Sequence, residues 1–228
     1  MRTPLTLAAS ALALAFAAAP ALSAPNIKGD KVDIRTWDTT AFSNGWSVDR
    51  LIGTDVRGPG GEEIGEVENL ILGPDNRVRK LVFSTGGFWD IGDKHLVVDW
   101  KEVTVAPGRE YVTVPVTEET AEQYGMFDDA PETVATKQRN WRATELIGDY
   151  VRLQDDVDYG YVQDIVVDTE GKLQAVVVEP DVGYGVRPGP YAYPFYGYGY
   201  GWDPGSDYYD MPYAADEVGD LDPYEWRT

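Results

Sequence analysis

The chain holds one histidine and no cysteine, which narrows its chemistry. A nucleophilic triad or a histidine-bearing metal site would have to use His95. His95 opens the run HLVVDW, on the strand face opposite Leu96, Val98 and Trp100, the place of an exposed or edge histidine. A zinc site would need carboxylates almost alone. Carboxylates are plentiful. Asp155, Asp156 and Asp158 crowd the stretch QDDVDYG, and oxygen clusters of this kind can hold calcium. The spacing lacks the EF-hand pattern and its distant glutamate, and a solvated turn has the same composition. GPGGEE, residues 58–63, lacks the lysine and following helix of a phosphate loop. The most distinctive residues are aromatic. Tyr196, Tyr198, Tyr200 and Trp202 alternate with glycine, and Phe88 and Trp89 sit in a comparable loop. Such loops make contact surfaces at low side-chain entropy cost and suit sugar stacking. They equally serve to fold back over an apolar sheet of their own barrel. No catalytic constellation emerges. The expectation is a non-enzyme without a cofactor, whose only metal candidates are the three weak aspartates.

The elements that position these residues come twice. WSVDRLIGTDVRG begins at Trp46 and WRATELIGDYVRL at Trp141, an offset of 95 residues that persists without a gap. Leu51, Ile52 and Gly53 match Leu146, Ile147 and Gly148; Gly65 and Val67 match Gly160 and Val162. At the same offset Leu96, Val98 and Trp100 fall on Tyr191, Tyr193 and Phe195. Each trio is one apolar stripe of a strand. YVTVPV from Tyr111 resembles YYDMPY from Tyr208 after a two-residue insertion. The tyrosine-rich stretch therefore reads as the last third of a second folded copy, with Tyr196 to Asp207 as a glycine-rich loop between strands.

Each copy reads as strands and turns. A helical turn leads in at 47–51 and again at 143–147. Strands are expected over 55–57, 63–72, 78–84, 95–99 and 111–116, with turns at GPDNR and, in the second copy, DTEGK. Pro115 fits an edge strand. TEETAEQYG reads as a helix capped by Thr117. Gly65 and Gly160 lie inside strand patterns, where glycine marks a bulge or sharp bend. Many short strands predict small barrels rather than a βαβ fold. Copies of about 70 residues are marginal alone, and packing them together helps both.

The first residues follow the three-part plan of a secretory signal peptide. Arg2 is the basic region and Leu5 to Ala19 the apolar run, broken by Pro20. Cleavage is expected before Ala24, with the bonds after Ala21 and Ala24 as alternatives. The run is about 15 residues, short of the roughly 20 that span a bilayer. The expected location is periplasmic or secreted, with no stable membrane anchor after cleavage. The net charge is −20, and loss of Arg2 deepens it by one. Such a chain is repelled by nucleic acid and by anionic lipid.

The patterns W-x4-LIG-x2-V and G-x-x-IG-x-V-x-x-L, with GGFWDIGDKHLVVDW at 86–100, resemble the PRC-barrel domain. That family includes the soluble domain of the photosynthetic reaction-centre H subunit and the C-terminal domain of a ribosome maturation factor. The second copy departs from the pattern at VGYGVRPGPYAYPF. The resemblance implies an all-β chain of two tandem small PRC-type β-barrels, each of about six strands, with short helical turns, after an N-terminal signal peptide. The plan is a signal peptide at 1–23, an extension at 24–45, a first barrel at 46–124, a linker at 125–140, a second barrel at 141–216 and an acidic tail at 217–228. The resemblance implies a scaffold or adaptor more than a catalyst. The expected partner is a protein or cell-envelope component, not nucleic acid. The alternative is a periplasmic binder of a small ligand or a divalent cation such as calcium.

Overall fold

A computed structural model describes residues 31–39, 45–85, 94–106, 108, 110–124, 140–181, 183, 187–197, 201 and 203–226, without the side chains of Asp155 and Asp220. In the first copy β1 (Trp46–Ser47) runs into a one-turn helix α1 (Val48–Leu51). Then come β2 (Asp55–Arg57), β3 (Glu63–Gly73), β4 (Arg77–Ser84), β5 (His95–Asp99), β6 (Thr104–Val105) and β7 (Tyr111–Thr113). In the second copy β8 (Trp141–Arg142) leads through a 3-10 turn at Ala143–Glu145 into β9 (Tyr150–Leu153). β10 (Val157–Val167), β11 (Leu173–Pro180), β12 (Tyr191–Pro194) and β13 (Tyr208–Asp210) follow. The two sheets share one order, β5-β4-β3-β2-β7 and β12-β11-β10-β9-β13, and the first adds β6 beyond β7. Ser47 caps α1 by accepting from the Arg50 N–H.

The copies exchange their first strands. β1 of the first copy pairs with β10, Trp46 opposite Val167, and β8 of the second pairs with β3, Trp141 opposite Leu72. The two registers are the same after the 95-residue offset. The hairpin turns obey that symmetry too. The Val78 N–H donates to the Gly171 carbonyl at 2.7 Å and the Leu173 N–H to the Asn76 carbonyl at 3.0 Å. Asn76 and Gly171 take positive φ, 59° and 78°, which these two residue types tolerate. The halves are thus related by a pseudo-two-fold axis between the two turns. It explains why Leu70, Ile71 and Leu72, like Ile165, Val166 and Val167, are buried in succession. Each run has its own barrel on one face and further cover on the other, so strict alternation lapses. One apolar cluster contains Leu72 and Phe83 from the first copy together with Trp141, Val176 and Tyr193 from the second.

The tyrosines of the second copy fill its core. Tyr191, Tyr193, Tyr209 and Tyr213 are buried, and Phe195 packs half-buried against them. The Tyr159 and Tyr193 hydroxyls are 2.7 Å apart. Such pairing meets the requirement that a buried phenol find a partner. Burial pushes the ionisation of Tyr193 and Tyr213 well above the ordinary phenol range, so these hydroxyls keep their protons.

Four expectations need correction. The last strand of the first copy ends at Thr113, not Val116, and β6 lies outside it, so Pro115 follows an inner strand. Val114 and Val116 are nonetheless buried. TEETAEQYG is a turn followed by a 3-10 helix at Ala121–Gln123. The Thr120 hydroxyl accepts the Thr117 N–H at 2.9 Å, and such local bonds compete with a helix. Residues 217–226 are not a free acidic tail. Val218 is buried, and Tyr224 and Trp226 join Trp37 in covering Val166, Ala175, Val177 and Ala192 on the outer face of the second sheet. The extension is also tied down. Lys31 bonds Glu217 at 2.5 Å, and Val32 bonds the hydroxyls of Tyr196 and Tyr213.

Candidate functional site

The outer face of β10, β9 and β13 carries a row of three tyrosines. Tyr150 lies opposite Tyr161 on β10 and Tyr208 on β13. They are the exposed large hydrophobic residues of the described chain, at 59%, 41% and 38%. The Tyr150 and Tyr208 rings are 6.1 Å apart. A bulge puts Tyr161 there. Tyr159 is fully buried, and a regular strand would hold Tyr161 on the same inner face. The register between β10 and β9 shifts between Asp158 and Gly160, which turns Tyr161 outward. A Cβ on Gly160 would meet the Glu179 carbonyl oxygen at 2.1 Å, so glycine is required at the bend.

The next row is ionic: Asp158, Arg152 and Asp210 lie across the same strands. Arg152 Nε donates to Asp210 Oδ1 at 2.6 Å and the other arm of the fork reaches Oδ2 at 3.1 Å. Bidentate pairing of this kind fixes the guanidinium in the plane of the carboxylate. The bond to Asp210 pushes the Arg152 pKa up from an already high value. The guanidinium also lies over the Tyr208 ring, 4.7 Å from its centroid, and within 3.5 Å of Asp156.

The first copy has the same frame with different chemistry. Asp55 and Glu66 stand where Tyr150 and Tyr161 stand, and Tyr111 stands for Tyr208. Arg57 again lies over a tyrosine, at 4.0 Å from the Tyr111 centroid. Thr113 replaces Asp210, so that arginine lacks the carboxylate fork.

Tyr196, read from sequence as a contact residue, is corrected: it is buried. Its hydroxyl is 2.8 Å from that of Tyr213 and its N–H donates to the Tyr209 hydroxyl, so it closes the core. Tyr198, Tyr200, Trp202, Phe88 and Trp89 lie outside the described residues. Of the aspartates, Asp156 pairs with Arg152, Asp158 is exposed on β10 and the Asp155 side chain is outside the description. No group of three or more His, Cys, Asp or Glu is placed to hold a metal ion among the described residues. His95 is half-buried, its Nδ1 2.5 Å from Glu68 Oε2. The sequence reading missed Tyr150, Tyr161 and Tyr208 as a site. The available signal was a pair of tyrosines where the first copy has an aspartate and a glutamate.

A protein-family model for the PRC-barrel domain matches twice, at 46–121 and 140–209. The chain belongs to the PRC-barrel domain family. A search of curated proteins found no match. Within this tandem PRC-barrel chain the match limits follow the two copies, each with its first strand in the other's sheet, and the tyrosine row belongs to the second domain.

One buried acid joins the two PRC-barrel copies. Asp164 Oδ2 accepts from the Ser47 hydroxyl at 2.5 Å, and Oδ1 from the N–H groups of Asp49 and Ile165. Burial raises its pKa to about 6 against these bonds, which lower it. At the equivalent place Asn69 bonds Thr144 without a charge. The folded state thus holds a proton that the unfolded chain releases near pH 4. The contribution of Asp164 to stability falls as pH rises from about 4 to 6 and is level above, where its ionisation costs roughly 3 kcal/mol. Asp164→Asn is therefore expected to raise stability by about 1–3 kcal/mol at pH 8, with the gain shrinking as pH approaches 4. Urea unfolding at pH 8 and pH 5 checks this; an equal loss at both pH values would refute it.

Proposed function

We propose that this protein is a non-catalytic, exported adaptor that binds a protein or cell-envelope partner through the tyrosine face of its second PRC barrel. The carrying observation is selective exposure. The second copy buries Tyr159, Tyr191, Tyr193, Tyr196, Tyr209 and Tyr213, yet leaves Tyr150, Tyr161 and Tyr208 in one exposed row beside a pinned arginine. Tyrosine and arginine are the residues that recur at the energetic centres of interfaces. The non-catalytic part is supported by composition, one histidine and no cysteine. The exported part is supported by the N-terminal pattern of a basic residue, an apolar run and small residues before Ala24.

The test is capture from a periplasmic fraction by wild type, by Tyr150→Ser/Tyr161→Ser/Tyr208→Ser, and by a Tyr111→Ser control in the first copy. Wild type and control are expected to retain one partner that the triple variant loses. Partly exposed strand residues of this kind are expected to cost no more than about 1 kcal/mol each, so the melt should stay cooperative. The same partner on all three proteins would exclude the face. Absence of the native protein from the fraction would refute export.

A further inference from the structure

We infer that the tyrosine face of the second PRC barrel takes an extended, arginine-bearing segment of its partner. This rests on the adaptor reading and narrows it to one chemistry. Two equivalent places in the chain already seat a guanidinium on a tyrosine ring, Arg152 on Tyr208 and Arg57 on Tyr111. Cations are held there by the negative face of the ring. Among the described residues, no cation lies over Tyr150 or Tyr161, and both are exposed. Neighbouring strands are about 4.8 Å apart, so the row offers successive rings to one extended chain crossing the sheet.

The surrounding charge selects the cation. Asp158 faces solvent in the next row, and Asp207, whose carbonyl accepts the Tyr150 N–H, is exposed beside the row. The cation of the patch, Arg152, is already matched by Asp210. The face is left with unmatched carboxylates on a chain of net charge −20. A surface of one charge sign raises the local concentration of the opposite sign. A neutral glycan would use the rings but gain nothing from the carboxylates. Nucleic acid and anionic lipid would be repelled.

The test titrates the full mature chain against a fluorescein-labelled octapeptide of alternating arginine and serine, read by anisotropy in physiological salt. Tyr150→Ser/Tyr161→Ser/Tyr208→Ser leaves net charge unchanged and is expected to weaken binding about tenfold. The corresponding triple Tyr→Phe variant keeps the rings and should bind as wild type does, which also controls for folding. Asp158→Asn/Asp207→Asn should weaken binding severalfold. Asp55→Asn/Glu66→Gln removes as much charge from the first copy and should change it less than twofold. Equal binding by the triple serine variant would reduce the effect to diffuse charge and overturn the inference. So would no binding by wild type, or tyrosine-dependent binding of a chito-oligosaccharide instead of the peptide. Loss of the captured partner in the triple serine variant without peptide binding would leave the adaptor reading standing and this inference refuted.

Discussion

A chain ended at Gly189 is expected to lose its cooperative melt, beginning with the second PRC barrel and, because the two copies share one core, taking the first with it. The cut removes β12 and β13 and with them Tyr191, Tyr193, Tyr196, Tyr209, Met211 and Tyr213, all buried. β11 loses the partner that sets Tyr193 opposite Val176, and β9 loses its pairing with β13. Loss of one buried aromatic costs about 3–5 kcal/mol, against a total stability of roughly 5–15 kcal/mol for a domain. Near-UV circular dichroism against temperature reads the result. A truncated chain with an undiminished transition would show that these tyrosines do not hold the barrel together.

The second large effect is expected at Trp141. It belongs to the second copy in sequence but pairs with Leu72 of the first and is buried in the shared core. Trp141→Ala is expected to cost about 3–5 kcal/mol, measured by urea unfolding. The equivalent Trp46 is only half-buried, its ring edge-on to Trp100 at 5.6 Å, so Trp46→Ala should cost clearly less. Equal costs would mean that the pseudo-symmetry extends to packing.

Much of this architecture was legible because the chain repeats. The offset that aligns LIG with LIG also aligns β4 with β11 and β5 with β12. It identified Tyr191 and Tyr193 as core residues despite their low-complexity neighbourhood. The exchange of first strands was not legible, because a two-residue pairing carries no periodicity of its own. The packed C-terminal segment was hidden by its acids, which surround Leu221, Tyr224 and Trp226. The tyrosine face was hidden by the bulge. Tyr159 and Tyr161 are two apart, and alternation alone assigns both to one face. Gly160 was recognised as a bend, but the direction in which it sends the next residue depends on the register with β9. Tyr196 failed in the opposite sense: its glycine-rich surroundings read as an exposed loop, whereas its hydroxyl reaches Tyr213 and Val32.

The central claim is that two PRC copies form one cooperative unit through exchanged strands, with one copy's outer face free to specialise. Native-state hydrogen exchange on wild type and Trp141→Ala tests it most directly. The slowest amides of β3 and β4 and those of β10 and β11 are predicted to share one opening free energy. Both sets should fall by the same amount in the variant. Protection that falls in one copy and stays unchanged in the other would contradict the claim.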